Sequence, residues 1–154
     1  MQTASAPLDD NAAARRDALS VLSHAEAKAL AALWDTWQNR PVVQPIRGPE
    51  TGLIMVRGRI GGGGAPFNLG EATVSRASVR IETGEIGHGY CLGRDTGKAE
   101  LIAVLDALYQ REPHNVEFAI LRPLRDIAFA ADSKRREETA ATKVEFFTMV
   151  RGED

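Results

Sequence analysis

The stretch ASVRIETGEIGHGYCL, residues 77–92, decides the fold class. Apolar Ala77, Val79 and Ile81 alternate with polar residues, Glu82–Glu85 has the composition of a tight turn, and alternation resumes over residues 86–92. A period of two on both sides of a short glycine-containing turn is typical of a β-hairpin. The stretch therefore predicts two antiparallel strands joined by that turn.

The same alternation of apolar and polar residues extends towards the N-terminus. Ile54, Val56 and Ile60 are spaced to share one face of a strand. Val42–Ile46 is an additional edge strand in this interpretation, because Pro45 is tolerated at a sheet edge. Residues 42–92 therefore predict an antiparallel sheet of about four strands.

Helical patterns flank the sheet on both sides. Ser23–Glu26 matches a capping box, and the apolar stripe of Leu30, Leu33, Trp34 and Trp37 follows it. An amphipathic helix is predicted over 96–110, and another begins at Pro123. The expected fold class is α+β, with a flexible tail over 1–10 and a single domain over 11–154.

Composition excludes several classes of protein. The net charge is −2, so the chain lacks the basic balance that nucleic-acid-binding domains carry. No apolar run approaches the ~20 residues of a membrane span, and the polar start lacks the pattern of a signal peptide. With Cys91 as the single cysteine, the expected compartment is the reducing cytoplasm.

The sequence presents no catalytic or metal-binding constellation. The histidines His24, His88 and His114 are scattered, and Cys91 stands alone. His88 and Cys91 are three apart on one strand, so their side chains point to opposite faces. We expect no catalytic residue and no metal ligand in this chain.

Three features could bind an anion. The first is the loop Gly61–Gly64, including Gly62 and Gly63, whose backbone donors could approach a phosphate closely. The second is Gly93–Lys98, where Arg94 and Lys98 adjoin a predicted helix N-terminus. The third is the pair Arg76 and Arg80 on one strand face.

Each feature also has a structural interpretation. The glycine loop lies between extended stretches, so it is equally a flexible hairpin tip. Asp95 or Thr96 could serve as a plain helix cap. Arg76 and Arg80 could belong to a solvated sheet face with cross-strand salt bridges, or to a buried contact with another subunit.

The segment 144–152 is unusually apolar for a terminus. We expect it to dock either on this chain's own sheet or on a partner. The residues assigned to a partner interface are Phe146, Phe147, Met149, Val150 and Arg151.

An ordered set of motifs over residues 15–152 resembles one known family. The set comprises Glu50–Leu53, Arg59–Gly64 with Phe67, Gly70–Arg76, Gly93–Asp95 with Ala99-Glu100, Asp106–Leu108, and the ending Val144–Gly152. Together they resemble PhnG, the G subunit of the carbon–phosphorus lyase core complex. The departures are the all-glycine loop and a longer, alanine-rich N-terminal tail.

The resemblance implies a cytoplasmic accessory subunit that assembles with the H, I and J subunits. With the I, H and L proteins, such subunits support a transferase step in which a phosphonate displaces adenine from ATP at ribose C1′. The product is an α-D-ribose 1-phosphonate 5-triphosphate. The I subunit is expected to carry the nucleosidase-like chemistry. This chain would bind no cofactor, ATP being the substrate of the complex. Because an unpaired interface stays exposed, we expect either weak stability or self-association of the isolated chain.

Overall fold

The chain folds as an α+β protein, as the sequence predicts. The computed structural model describes residues 10–61 and 63–141. Residues 1–9, which cover most of the predicted tail, lie outside them. In chain order, the elements are α1 (Asp10–His24), α2 (Ala27–Asp35), β1 (Val43–Arg59), β2 (Pro66–Ile81), β3 (Ile86–Leu92), α3 (Thr96–Arg111), α4 (Pro113–Val116), a π-helical turn (Glu117–Leu121) and α5 (Arg122–Ala141).

The sheet of the described residues has three antiparallel strands in the order β1-β2-β3. The prediction of about four strands was slightly too high, because Val42–Ile46 is not a separate strand. From Val43 onward these residues form the start of β1, which is 17 residues long. The pairing register of β1 shifts on both sides of Arg47, and these shifts accommodate Pro45 and Pro49. The predicted turn at residues 82–85 is confirmed, and Gly84 adopts a φ of 106° there.

Helix α3 packs very closely on β3. A Cβ atom at Gly87 would lie 1.9 Å from the carbonyl oxygen of Ala103, and one at Gly89 would lie 1.8 Å from that of Ala99. Glycine is therefore required at both strand positions. Together with Ala77, Val79 and Ile81 of β2, this face of the sheet and α3 form the core.

One buried carboxylate ties three elements together. Asp106 of α3 accepts hydrogen bonds from Nε and Nη2 of Arg15 in α1, at 2.8 and 2.7 Å. It also accepts one from the backbone N–H of His88 in β3, at 2.8 Å. The hydrogen bond with Asp106 raises the pKa of Arg15. This bidentate pair fixes α1 and the sheet against α3.

The helices differ from the sequence prediction at two places. The capping box was wrong: Ser23 lies in the last turn of α1, where its hydroxyl donates to Ser20 O, and Glu26 precedes α2 without a side-chain cap. The helix expected to begin at Pro123 instead begins at Pro113. The wider π-helical turn, closed by Arg122 N–H to Glu117 O, lets the chain pass Pro123 without ending the helix.

The long β1–β2 hairpin projects beyond the end of β3. We call residues 53–59 and 66–73 the hairpin arm; in the described structure its two strands pair with each other, and Thr73 at its base also accepts a hydrogen bond from Gly93 N–H. At about 3.3 Å per residue the arm is about 20 Å long. Within the described residues its large apolar side chains are exposed, and it carries many of the exposed large apolar side chains found there.

Candidate functional site

The sheet face opposite α3 is exposed within the described residues except at Val74, which is buried at one end, and we call it the open face. It comprises Arg47 and Glu50 of β1, Arg76, Ser78 and Arg80 of β2, and His88, Tyr90 and Leu92 of β3. Ala77, Val79, Gly87, Gly89 and Cys91, which alternate with these residues, are buried against α3. The structure therefore confirms that Arg76, Ser78 and Arg80 share one face.

Most polar groups of the open face are paired across strands. Glu50 accepts from Nε of Arg76 at 2.7 Å and lies 3.2 Å from Nε of Arg47. The hydroxyl of Ser78 lies 2.9 Å from Nδ1 of His88. Arg80 has no hydrogen-bond or ion-pair partner among residues 10–61 and 63–141. Arg47 and Arg76 thus share the carboxylate of Glu50, and with the unpaired guanidinium of Arg80 the face is left positive.

The junction between β3 and α3 is a helix cap. Asp95 accepts from the backbone N–H of Lys98 at 2.8 Å, as the capping interpretation predicted. The ammonium of Lys98 donates to Ser23 O at 2.7 Å, where it satisfies the last turn of α1. Lys98 is therefore engaged within the chain. Arg94 is exposed, and its guanidinium has no partner in the described part of the chain.

The glycine loop forms the tip of the arm. Gly61 has a φ of 61°, Gly64 N–H donates to Ile60 O at 3.1 Å, and Arg59 Nη1 donates to Gly64 O at 3.1 Å. Gly63 is exposed, and Gly62 lies outside the described residues. Because Gly93 pairs with Thr73 at the base of the arm, the tip is about 20 Å from Arg94. The predicted anion-binding residues do not converge on one site.

Cys91 and His88 occupy opposite faces of β3, as their spacing predicted. Cys91 is buried, its thiol lies 3.6 Å from Asp95 O, and burial raises its pKa. A thiol with a raised pKa is a poor nucleophile at neutral pH. Within residues 10–61 and 63–141 no group of three His, Cys, Asp or Glu side chains could hold a metal ion.

Two features escaped the sequence reasoning. The first is the link from Asp106 to Arg15 and His88; an aspartate within the apolar run of residues 101–108 was its signal. The second is the hairpin arm. Its signal in the sequence was the run of consecutive apolar residues at 53–56, because a strand with one buried face would alternate apolar and polar residues. The predicted interface residues Phe146, Phe147, Met149, Val150 and Arg151 lie outside the described part of the chain.

The fold and surface define the class of protein. Within the described residues this is a small α+β domain whose open face and two-stranded arm are exposed, and exposed apolar surface of this extent is typical of protein–protein contact sites. None of the helices in the described residues is long and apolar enough to cross a membrane.

The comparisons identify the family within this class. Residues 13–152 match the family described as phosphonate metabolism protein PhnG. The chain is also 52% identical over 155 aligned residues to the α-D-ribose 1-methylphosphonate 5-triphosphate synthase subunit PhnG of Rhizobium meliloti (strain 1021), covering 100% of this chain and 99% of that relative. The chain therefore belongs to the PhnG family of phosphonate metabolism proteins, as its motifs indicated.

Proposed function

We propose that this chain is an accessory subunit of the carbon–phosphorus lyase complex. Its identity of 52% with a synthase subunit, along the full length of both chains, carries the proposal. The uncovered open face and arm support it, since an accessory subunit needs surfaces for its neighbours. Its partners would be the I, H and J subunits together with the L protein, in the cytoplasm.

The reaction that the complex would perform is a transfer at ribose C1′ of ATP. A phosphonate oxygen forms a bond to C1′, the bond from C1′ to adenine breaks, and adenine leaves. With methylphosphonate the product is α-D-ribose 1-methylphosphonate 5-triphosphate. This chain would contribute no bond-making group and no bound cofactor, because its sequence shows no catalytic constellation, and Glu50, His88 and Asp95 are engaged in cross-strand pairs and a helix cap.

Reconstitution by omission tests the proposal. The synthase subunits are co-expressed with and without this chain, and adenine release from ATP and methylphosphonate is followed by chromatography. We expect the chain to co-elute with the complex and adenine release to require it. The chain alone should release no adenine. Failure to co-elute, or full activity of the complex without the chain, would refute the proposal.

A second candidate function is direct contact with the triphosphate or the phosphonate. The guanidinium groups of Arg80 and Arg94, which are unpaired among the described residues, favour this role. Arg76, by contrast, is paired with Glu50, and the ammonium of Lys98 donates to the carbonyl of Ser23. In the assembled complex, Arg80→Ala and Arg94→Ala should each raise the KM for ATP or phosphonate, and Arg122→Ala on the surface of α5 should leave it unchanged. Unchanged KM values in both variants, together with no heat on titrating ATP into the purified chain alone, would exclude this role.

A further inference from the structure

The hairpin arm exposes apolar side chains on both of its faces. Leu53 and Met55 point to one side and are 64% and 52% exposed. Ile54 and Val56, which alternate with them, point to the other side and are 37% and 36% exposed. On β2, Leu69 lies at the register shift opposite Val56 and Arg57 and is 66% exposed. A flat surface could cover at most one of the two faces.

The edges of the arm are also unprotected. Near the base of β1, Pro45, Pro49 and the irregular register on both sides of Arg47 discourage pairing with another strand. From residue 51 to 59 β1 has no proline, and its outer edge is free of any strand in the described structure. Isolated two-stranded ribbons are marginally stable in water, so an arm of this length requires support.

The charge of the arm indicates what supports it. The side chain of Arg57 has no ion-pair or hydrogen-bond partner among the described residues, and that of Arg59 donates there only to the carbonyl of Gly64 at the tip. Glu71 is the single acidic residue of the arm, so its net charge is +1. Two arms packed together would combine like charges, whereas an acidic surface would complement them.

We propose that the arm inserts into a groove of another subunit, one with apolar walls and acidic residues near its deep end. The inference rests on the proposed function, because it assumes that the chain works in an assembly. Insertion buries both faces of the ribbon, pairs Arg57 and Arg59 with carboxylates, and leaves the basic part of the open face, at Arg47, Arg76 and Arg80, outside the groove.

Thiol protection distinguishes insertion from contact with a flat surface. Leu53→Cys and Ile54→Cys place a thiol on either face of the arm, and the buried native Cys91 gives a slowly reacting background. Each variant is treated with a maleimide, first as the isolated chain and then in the purified complex. We expect both thiols to react freely in the isolated chain and to be at least about tenfold slower in the complex. Protection at one of the two positions alone would overturn insertion.

A competition experiment tests the energetic role of the arm. Wild type and a variant, distinguished by tag length, are co-expressed with the other subunits, and their shares in the complex are compared. Leu53→Ser combined with Leu69→Ser should lower the share of the variant about tenfold or more. The matched control Phe118→Ser changes a side chain that is 73% exposed but lies on the π-helical turn. An equal loss in the control, or no loss in the arm variant, would contradict the proposal.

The charge of the groove is tested in the same assay. Arg57→Glu should lower incorporation more than Arg122→Glu, and the deficit should shrink at high salt.

If the isolated chain dimerises and already protects both thiols, the occupant is a second copy, and insertion into another subunit is wrong. If wild type itself does not enter the complex, the proposed function fails; if wild type enters and the arm variants enter equally well, only the inference about the arm fails.

Discussion

Replacement of Gly89 by alanine should separate α3 from the sheet. The new methyl carbon would lie 1.8 Å from Ala99 O and 2.7 Å from Ala103 N. Real Cβ atoms essentially never approach a neighbour closer than 3.0 Å, so α3 has to withdraw by at least 1.2 Å, the difference between 3.0 and 1.8 Å. Both nearest atoms belong to the backbone of α3, so no change of rotamer relieves the contact.

The size of the effect follows from what that withdrawal breaks. Overpacking of a core costs about 1–3 kcal/mol. The bond from His88 N–H to Asp106 lengthens from 2.8 Å towards 4.0 Å, beyond hydrogen-bond range, and a bond to a charged group contributes about 1.5–3 kcal/mol. The variant should therefore lose about 3–5 kcal/mol, a large part of the ~5–15 kcal/mol typical of a domain.

Urea unfolding of the isolated chain, followed by circular dichroism, measures the loss. With a slope of about 2 kcal/mol per molar urea, the midpoint should fall by about 2 M. Gly70→Ala is the matched control, because a Cβ there meets nothing within 4 Å, and it should change the free energy of unfolding by less than about 1 kcal/mol. If Gly89→Ala unfolds at the wild-type midpoint, the close packing of α3 on β3 is wrong.

Three further changes test other parts of the structure. Asp106→Asn keeps an acceptor for the His88 N–H but leaves the partly exposed Arg15 without its carboxylate, so it should cost about 2–3 kcal/mol in the same urea assay. A wild-type midpoint would show that the ion pair contributes nothing. Asp95→Ala removes the cap of α3 and should cost about 1 kcal/mol; no change would mean that water replaces the cap. Cys91 of the folded chain should react with iodoacetamide about 100-fold slower than in 6 M urea, because its thiol is buried and its pKa is raised; equal rates would contradict its burial.

The sequence predicted what depends on local alternation and composition. The turn at Gly84, the helix from Thr96 and the shared face of Arg76 and Arg80 follow from periods and turn residues, and all are present. The extent of β1 could not be predicted in the same way. Pro45 and Pro49 indicate strand ends, yet β1 is an edge strand whose register shifts there, and an edge strand tolerates proline.

The candidate sites were harder to predict, because they depend on long-range geometry. The local sequence does not show that the ammonium of Lys98 donates to the carbonyl of Ser23, 75 residues earlier. Because of this bond, Lys98 is not a free cation. Likewise, Ser23 carries the spacing of a cap, but the continuation of α1 to His24 places it inside a helix. The glycine loop lies far from Arg94 because the β1–β2 hairpin is long. The length of the hairpin, rather than its composition, sets the distance between the loop and Arg94.

The free edge of β1 has a consequence for the lifetime of the chain in the cell. A copy that has not met its partners presents a nine-residue strand edge beside exposed leucine, isoleucine and methionine, the features by which chaperones and proteases recognise unfinished proteins. Orphan copies should therefore be degraded or aggregate, while assembled copies persist. The abundance of this chain should follow the supply of its partners rather than its own rate of synthesis.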